Sequence, residues 1–495
     1  MHTTVNAITA PTALGEGFTR VDTFLSGLFD LIYSNPLQMN VIYALMAAGI
    51  YFTYKTKFVQ IRMFPDMLKA AFGSRKDAKG GISSFQAFAV GLASRVGTGN
   101  IAGVALAIVA GGPGAIFWMW IVATVGMATA FNEAVLAQLF KVRGPGGIFR
   151  GGPAYYIRDG LGQRGWGAAF AIFLIFAFGF SFNMVQANTI ANVAEAHFNA
   201  NAWLVGLLLA AITTPIILAG LKPVARIAEV VAPVMALVYL LIAGAIVLVN
   251  ITEVPAVIAM IFRSAFGLDQ AVGGIAGGIF AALSNGLKRG LFSNEAGMGS
   301  APNAAATANI KHPVQQGLVQ SLGVFVDTIL VCTATACVVL FSGLYKPGMS
   351  TNDGAALTVE ALSHSLGSWI VLPMVVIIFV FAYSSVLGNY TYAELNWNYL
   401  FGVNRSTLGL KLIVIASVFL GSGLSLKAAW SLADIATAFM ALLNIFALFL
   451  LGKYAMGALR DWQEQKQANP AADPAFNVTN NPHFPQGLPS DVWEH

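Results

Sequence analysis

Eleven stretches of this chain are predominantly apolar over roughly the thickness of a lipid bilayer: residues 37–54, 84–110, 115–140, 168–196, 203–221, 227–250, 273–305, 314–341, 369–399, 409–425 and 430–451. A hydrocarbon core ~30 Å thick takes about 20 such residues of helix. Inside it every backbone polar group needs a partner within the chain, so helices are the economical answer. The pattern predicts an all-α polytopic membrane protein with eleven transmembrane helices. Composition agrees: 57% of the residues are hydrophobic and 10% charged, where soluble domains carry about 25% charged residues.

Charge tests the count. Alternate loops, beginning with 55–83, hold 20 of the 27 Lys and Arg, whereas the opposite side holds only Arg20, Arg263, Lys346 and Lys427. By the positive-inside rule the N-terminus lies outside and the C-terminus in the cytoplasm. The implied location is a bacterial inner membrane. Residues 1–36 carry Arg20 against Glu16, Asp22 and Asp30, the reverse of a secretory signal's positive start; a short interfacial helix is expected over 17–33. The tail from about Asp461 is polar and rich in Pro and Asn, and is expected to be exposed and loosely ordered. The net charge of +5 is scattered over short loops, which argues against nucleic-acid binding. Cys332 and Cys337 lie in an apolar run without metal-ligand spacing.

Two segments are unusual. Residues 84–110 are interrupted at Gly97, Thr98, Gly99 and Asn100, and residues 273–305 between Ser293 and Ser300. Glycine weakens a helix by ~1 kcal/mol relative to alanine, and polar backbone at membrane depth survives only where protein or a cavity encloses it. A broken helix ends in free carbonyls suited to a cation and resumes with free N–H groups suited to a carboxylate. Two together make a site for a zwitterion and a coupling cation. One such segment alone, with Gly99 and Gly103 four apart, would fit close helix packing as well. The two occupy corresponding positions, each opening a set of five spans that enter the membrane from opposite sides. This predicts an inverted five-plus-five repeat: 84–250 and 273–451, preceded by an N-terminal segment 1–36 and an extra helix 37–54, and followed by a cytoplasmic tail 452–495.

The motifs ASRVGTGNIAG, GGPGAIFWMW, GGPAYYI, VQAN, RGLFSNEAGMGSAP, PVQQGL and FVDT resemble those of the alanine or glycine:cation symporter family over about residues 37–455. The resemblance implies a leucine-transporter-type (LeuT) fold and sodium-driven uptake of alanine or glycine by alternating access, without an obligate protein partner. Carried over residue by residue, Thr98 and Gly99 would hold the substrate carboxylate beside Asn100, with Ser293 and Asn294 on the other wall. Gln186 is either a substrate partner or an interhelical contact, and Asn389 is expected to face the same pocket. For sodium (the coupling ion), the resemblance implies the hydroxyls of Ser384 and Ser385 with the carbonyls of Ala93, Val96 and Phe381. Phe292 and Met298 are candidate caps.

Arg95 falls near the centre of its segment, where an unpaired cation is expensive. A structural or gating ion pair is the favoured reading over contact with the substrate or screening near the cation; candidate partners are Glu133, Glu295, Asp327, Glu394 and Asp434. Glu295 would either bind the cation or brace its loop through Lys288 or Arg289, while Asp327 and Asp434 read as structural. An intramembrane enzyme lacks its residues here: there is no HExxH and no paired aspartate motif, and all six histidines are placed in loops or tails. A channel or a sensor on the same scaffold is the other rival.

Overall fold

The computed structural model describes residues 37–73, 82–144, 147, 149–219, 221–268, 275–350, 354–470 and 472–494; the interfacial helix expected over 17–33 lies outside them. Nineteen helices matter here. They are α1 (Leu37–Lys55), α2 (Phe64–Gly73), α3 (Ser84–Arg95), α4 (Val104–Gly111), α5 (Gly114–Leu139), α6 (Pro153–Gly160), α7 (Arg164–Phe176), α8 (Phe182–Phe198), α9 (Ala202–Leu218), α10 (Leu221–Val249), α11 (Val254–Ala265), α12 (Ile275–Asn294), α13 (Ala301–Thr307), α14 (Pro313–Val324), α15 (Thr333–Phe341), α16 (Gly354–Leu366), α17 (Val371–Phe401), α18 (Leu408–Gly423) and α19 (Leu426–Ala468). Wide π-type turns at Gly99–Gly103, Ala177–Ser181 and Phe325–Cys332 link α3 to α4, α7 to α8 and α14 to α15. A two-stranded ribbon pairs Val142–Arg143 with Phe149–Arg150.

Among the described residues five helical stretches are long and apolar enough to cross a membrane: Gly114–Leu139, Arg164–Phe198, Pro313–Phe341, Ser368–Phe401 and Ala428–Ala468. The count reaches seven if two bent pairs are single spans, one of them Ser84–Arg95 with Gly99–Gly111, bent by 51°. Each of the eleven apolar segments carries helix. Local chemistry sets their starts. Ser83 and Gln86 form a reciprocal capping box at α3, Asn201 caps α9 and Ser425 caps α19, satisfying N–H groups that have no intrahelical acceptor.

Two expectations need correction. His197 and His364 sit in the last turns of α8 and α16, not in loops. The tail is ordered and packed: α19 runs on to Ala468, and Phe476, Val478, Phe484 and Trp493 are all buried. Trp493 Nε1 donates to the Gln138 carbonyl (2.9 Å), Ser490 Oγ to the Lys141 carbonyl (2.6 Å) and the Phe476 N–H to the Lys311 carbonyl (2.9 Å). Polar composition hid four apolar side chains spaced widely enough to fill gaps under the helix ends. Those hydrophobic contacts, with the three hydrogen bonds, offset the entropy of ordering the segment.

Candidate functional site

The first break starts where α3 ends. Val96 turns extended (φ −77°, ψ 90°), and its N–H closes on the Leu92 carbonyl at 2.8 Å. Asn100 then folds back, its Oδ1 accepting the Gly97 N–H at 2.9 Å. The Thr98 N–H is taken by Gln186 Oε1 on α8 at 3.2 Å. Position 97 must be glycine, because a Cβ there would lie 2.2 Å from Ser385 Oγ and 3.2 Å from Gln186 Oε1. Residues 87–109 are buried throughout.

The second break follows Asn294. Glu295, Gly297 and Gly299 all take positive φ (56°, 83° and 84°), a region a glutamate occupies only when its surroundings hold it there. Here they do: its carboxylate accepts from Ser94 Oγ (2.9 Å) and Ser300 Oγ (2.6 Å). Hydroxyls therefore brace Glu295, and the expected brace through Arg289 is replaced by an Arg289–Asp434 ion pair at 3.0 Å. Glu133 on α5 steadies the same loop. It accepts the Gly297 N–H (3.1 Å) and the Asn444 amide (2.9 Å), while Asn444 also reaches the Gly297 carbonyl (2.9 Å).

The two breaks meet at Asp327. Asn100 Nδ2 donates to its Oδ1 at 2.6 Å, Ser293 Oγ to its Oδ2 at 2.6 Å, and Thr328 Oγ1 to the same Oδ2 at 2.8 Å. Asn100 Nδ2 also lies 2.9 Å from Ser293 Oγ. Asp327, read from the sequence as structural, thus links the two breaks. The signal was present, since an ionisable residue inside a span is a functional candidate by default.

Opposite this junction, Ser385 Oγ is 3.0 Å from the Ala93 carbonyl and 3.1 Å from that of Phe381, and Ser384 Oγ is 2.9 Å from the Phe381 carbonyl. Four of the five expected cation ligands thus converge as neutral hard oxygens, a donor set suited to an alkali cation. Val96 joins them only through its chain neighbours. Asn389 accepts from Ser94 Oγ (3.0 Å) and donates to Asn183 Oδ1 (3.1 Å), which joins it to the Glu295 network of the second break. Gln186 makes an interhelical contact to the Thr98 backbone.

Some polar atoms at the breaks are buried without a partner among the described residues: Thr98 Oγ1, Asn294 Nδ2 and Arg95 Nε. Such atoms carry a desolvation cost, and a ligand between the breaks would relieve it for Thr98 and Asn294. Arg95 makes no ion pair among the described residues. It donates to the Gln320 carbonyl (3.3 Å) and Gln320 Oε1 (3.0 Å), so the expected gating ion pair is a neutral contact. Phe292 stacks on Phe182 (4.5 Å) and meets Trp430 at a tilt of 47° (4.5 Å), and the Arg289 guanidinium lies 4.2 Å from the Trp430 ring centre.

Two broken helices enclosing a buried polar centre are the arrangement expected of a membrane transporter. The fold is shared with a solved structure, MhsT in complex with L-phenylalanine, at a TM-score of 0.56 and 15% identity over 78% of this chain and 93% of that one. The chain belongs to the sodium:alanine symporter family, whose model matches residues 22–478, and sodium is accordingly its coupling ion. Among its relatives are the probable sodium/glutamine symporter GlnT of Bacillus subtilis, 45% identical over 90% of this chain and 91% of that one. The amino-acid carrier protein AlsT of the same organism is 44% identical over 96% and 99%. The sodium/alanine symporter AgcS of Methanococcus maripaludis is 40% identical over 85% and 93%.

Proposed function

We propose that this protein imports a small neutral amino acid, alanine and/or glycine, together with sodium across a bacterial inner membrane. The observation that carries the reading is the meeting of the two breaks at Asn100, Ser293 and Asp327, with the Thr98 hydroxyl and Asn294 amide unpartnered beside it. The substrate carboxylate would bind at the turn of Thr98 and Gly99 once Gln186 yields the Thr98 N–H. Sodium would bind between Ala93, Val96, Phe381, Ser384 and Ser385, ordering the end of α3 and so the turn beside it. Each ligand then raises the affinity of the other, as linkage requires. The close walls at Gly97, Gly99 and Phe292 support a short side chain.

The proposed arrangement is eleven spans, with the repeats 84–250 and 273–451 inverted and the N-terminus outside. Helices with polar breaks at corresponding positions and the segregation of Lys and Arg support it. Transport would proceed by opening α12 away from Trp430 and Asp434 on one side, and α3 away from Gln316 and Gln320 on the other. Glutamine is the competing substrate, because the relative GlnT bears that name. Uptake of labelled alanine, glycine and glutamine into proteoliposomes, under imposed sodium or proton gradients, tests the reading. Sodium-independent uptake, or uptake of glutamine alone, would overturn it.

A further inference from the structure

Between the C-terminal end of α1 and the second half of α19 lies a cavity of about 670 Å³. Five cations line it: Lys55, Lys57, Arg62, Lys453 and Arg460. All five are exposed, and among the described residues no carboxylate forms an ion pair with any of them. Their recorded partners are neutral. Arg62 donates to the Thr56 carbonyl (3.2 Å), Lys55 lies 5.6 Å from the Tyr51 ring centre, and Lys453 lies 5.1 Å from that of Tyr454. Like charges gathered around one hollow repel one another, which an anion in the hollow would reverse.

Orientation in the membrane calls for positive loops, but not for a shared hollow built from helices nearly four hundred residues apart in sequence. The opposite wall also points to a specific kind of anion. Tyr51, Phe449 and Leu450 line the same cavity while 39%, 42% and 49% exposed. They lie on the two membrane helices, so the cavity has an apolar side next to its charged one. Pro482 and His483 of the packed tail complete the lining. A water-soluble anion has no use for that apolar wall, whereas a phospholipid uses both.

We propose that this cavity binds the headgroup of an anionic phospholipid, its phosphate held by Lys55, Lys57, Arg62, Lys453 and Arg460 and its acyl chains lying along Tyr51, Phe449 and Leu450. Basic pockets between membrane helices suit such headgroups. The lipid would bridge α1 to α19, fastening the N-terminal helix that lies outside the proposed repeats. The site itself does not depend on the proposed substrate; the cytoplasmic leaflet follows from the proposed orientation.

The test uses the full-length protein, delipidated in detergent and titrated with cardiolipin, phosphatidylglycerol, phosphatidylcholine or glycerol 3-phosphate, read by native mass spectrometry and by Tm. Both anionic lipids are expected to bind and raise Tm, while phosphatidylcholine and glycerol 3-phosphate do neither. The variant K55Q/K57Q/R62Q/K453Q should bind the anionic lipids at least tenfold more weakly. A control of similar charge loss at exposed positions elsewhere, K69Q/R226Q/R405Q, should bind like wild type. The single variants Lys57→Gln and Arg460→Gln give a graded loss that does not depend on the quadruple variant folding. Unchanged affinity in the cavity variants, an equal loss in the control, or equally tight binding of glycerol 3-phosphate would each overturn the proposal.

Discussion

Asn100 and Asp327 are joined by a 2.6 Å hydrogen bond from the side-chain amide to a carboxylate oxygen, and Ser293 donates to the other oxygen at the same distance. One carboxylate thus ties the broken helix α3–α4 to the broken helix α12–α13. Hydrogen bonds of this kind contribute about 0.5–1.5 kcal/mol each. This tie and the Ser94–Glu295 bond together align the two breaks.

Asp327→Asn tests this tie. The new amide keeps an acceptor for Asn100 Nδ2 only by turning its N–H₂ toward Ser293 and Thr328, whose hydroxyls then lose the carboxylate oxygen they share. We expect sodium-driven uptake to fall at least tenfold and Tm to drop, with the protein still inserted. Asn100→Ala should do the same. Wild-type uptake in both variants would mean that the junction is not part of the transport site.

Gly97 and Ser385 form a second testable pair, since a Cβ at position 97 would lie 2.2 Å from Ser385 Oγ. Gly97→Ala should cost about 1–3 kcal/mol of stability by overpacking. Adding Ser385→Gly removes the clashing hydroxyl and should restore most of the lost Tm, a positive coupling between neighbours. Transport should not return, because the same hydroxyl is a proposed sodium ligand. Ser385→Ala alone should raise the sodium concentration for half-maximal uptake at least tenfold, with thermal unfolding near wild type.

Much of this geometry was legible in the sequence. The interruptions at Gly97 to Asn100 and after Ser293 fall within a residue or two of the observed breaks, because glycine clusters and polar runs in apolar helices announce themselves locally. The pairing of Ser385 with Ala93 was implied by family resemblance and is present as a contact. What escaped was long-range. Asp327 and Asn100 are 227 positions apart, and periodicity carries no information about which side chains meet. The same reason hid the hydroxyl brace on Glu295 and the neutral partner of Arg95. The tail was misread for a different reason: its aromatic anchors, Phe476, Phe484 and Trp493, are too sparse to register against Pro and Asn.

Arg289 and Asp434 should behave as a unit. The pair is nearly enclosed, with side-chain exposures of 10% and 8%, and sits against Trp430. Removing one partner of a buried pair leaves the other charge uncompensated at a cost of about 3–5 kcal/mol, whereas replacing both by apolar residues is often neutral. Arg289→Met or Asp434→Leu alone should therefore lower Tm more than the double variant does. Additive losses in a double-mutant cycle would show that the two charges are independent.

The last prediction concerns pH and the contact between helix ends and tail. His312 precedes α14, and its Nδ1 accepts the Val314 N–H at 3.1 Å, which requires that nitrogen to be unprotonated. Its Nε2 then carries the proton and faces Asp461 Oδ2 at 3.0 Å, while the ring packs against Trp462 and Phe476. Burial lowers its pKa from the ordinary value of 6.5, and the bond to Asp461 opposes the shift only in part. A base whose pKa is depressed on folding binds more protons when unfolded, so stability rises with pH through that range. The contribution of His312 is therefore complete above about pH 6.5 and declines as pH falls below it. Protonation would also break the Val314 cap, loosening Phe476 and with it the tail. Limited proteolysis of the tail between pH 5 and 8 should show cleavage near residues 470–494 increasing as the medium acidifies. His312→Asn, which keeps a side-chain acceptor for the Val314 N–H but does not titrate, should flatten that dependence. A pH profile identical in the variant and the wild type would remove His312 as its source.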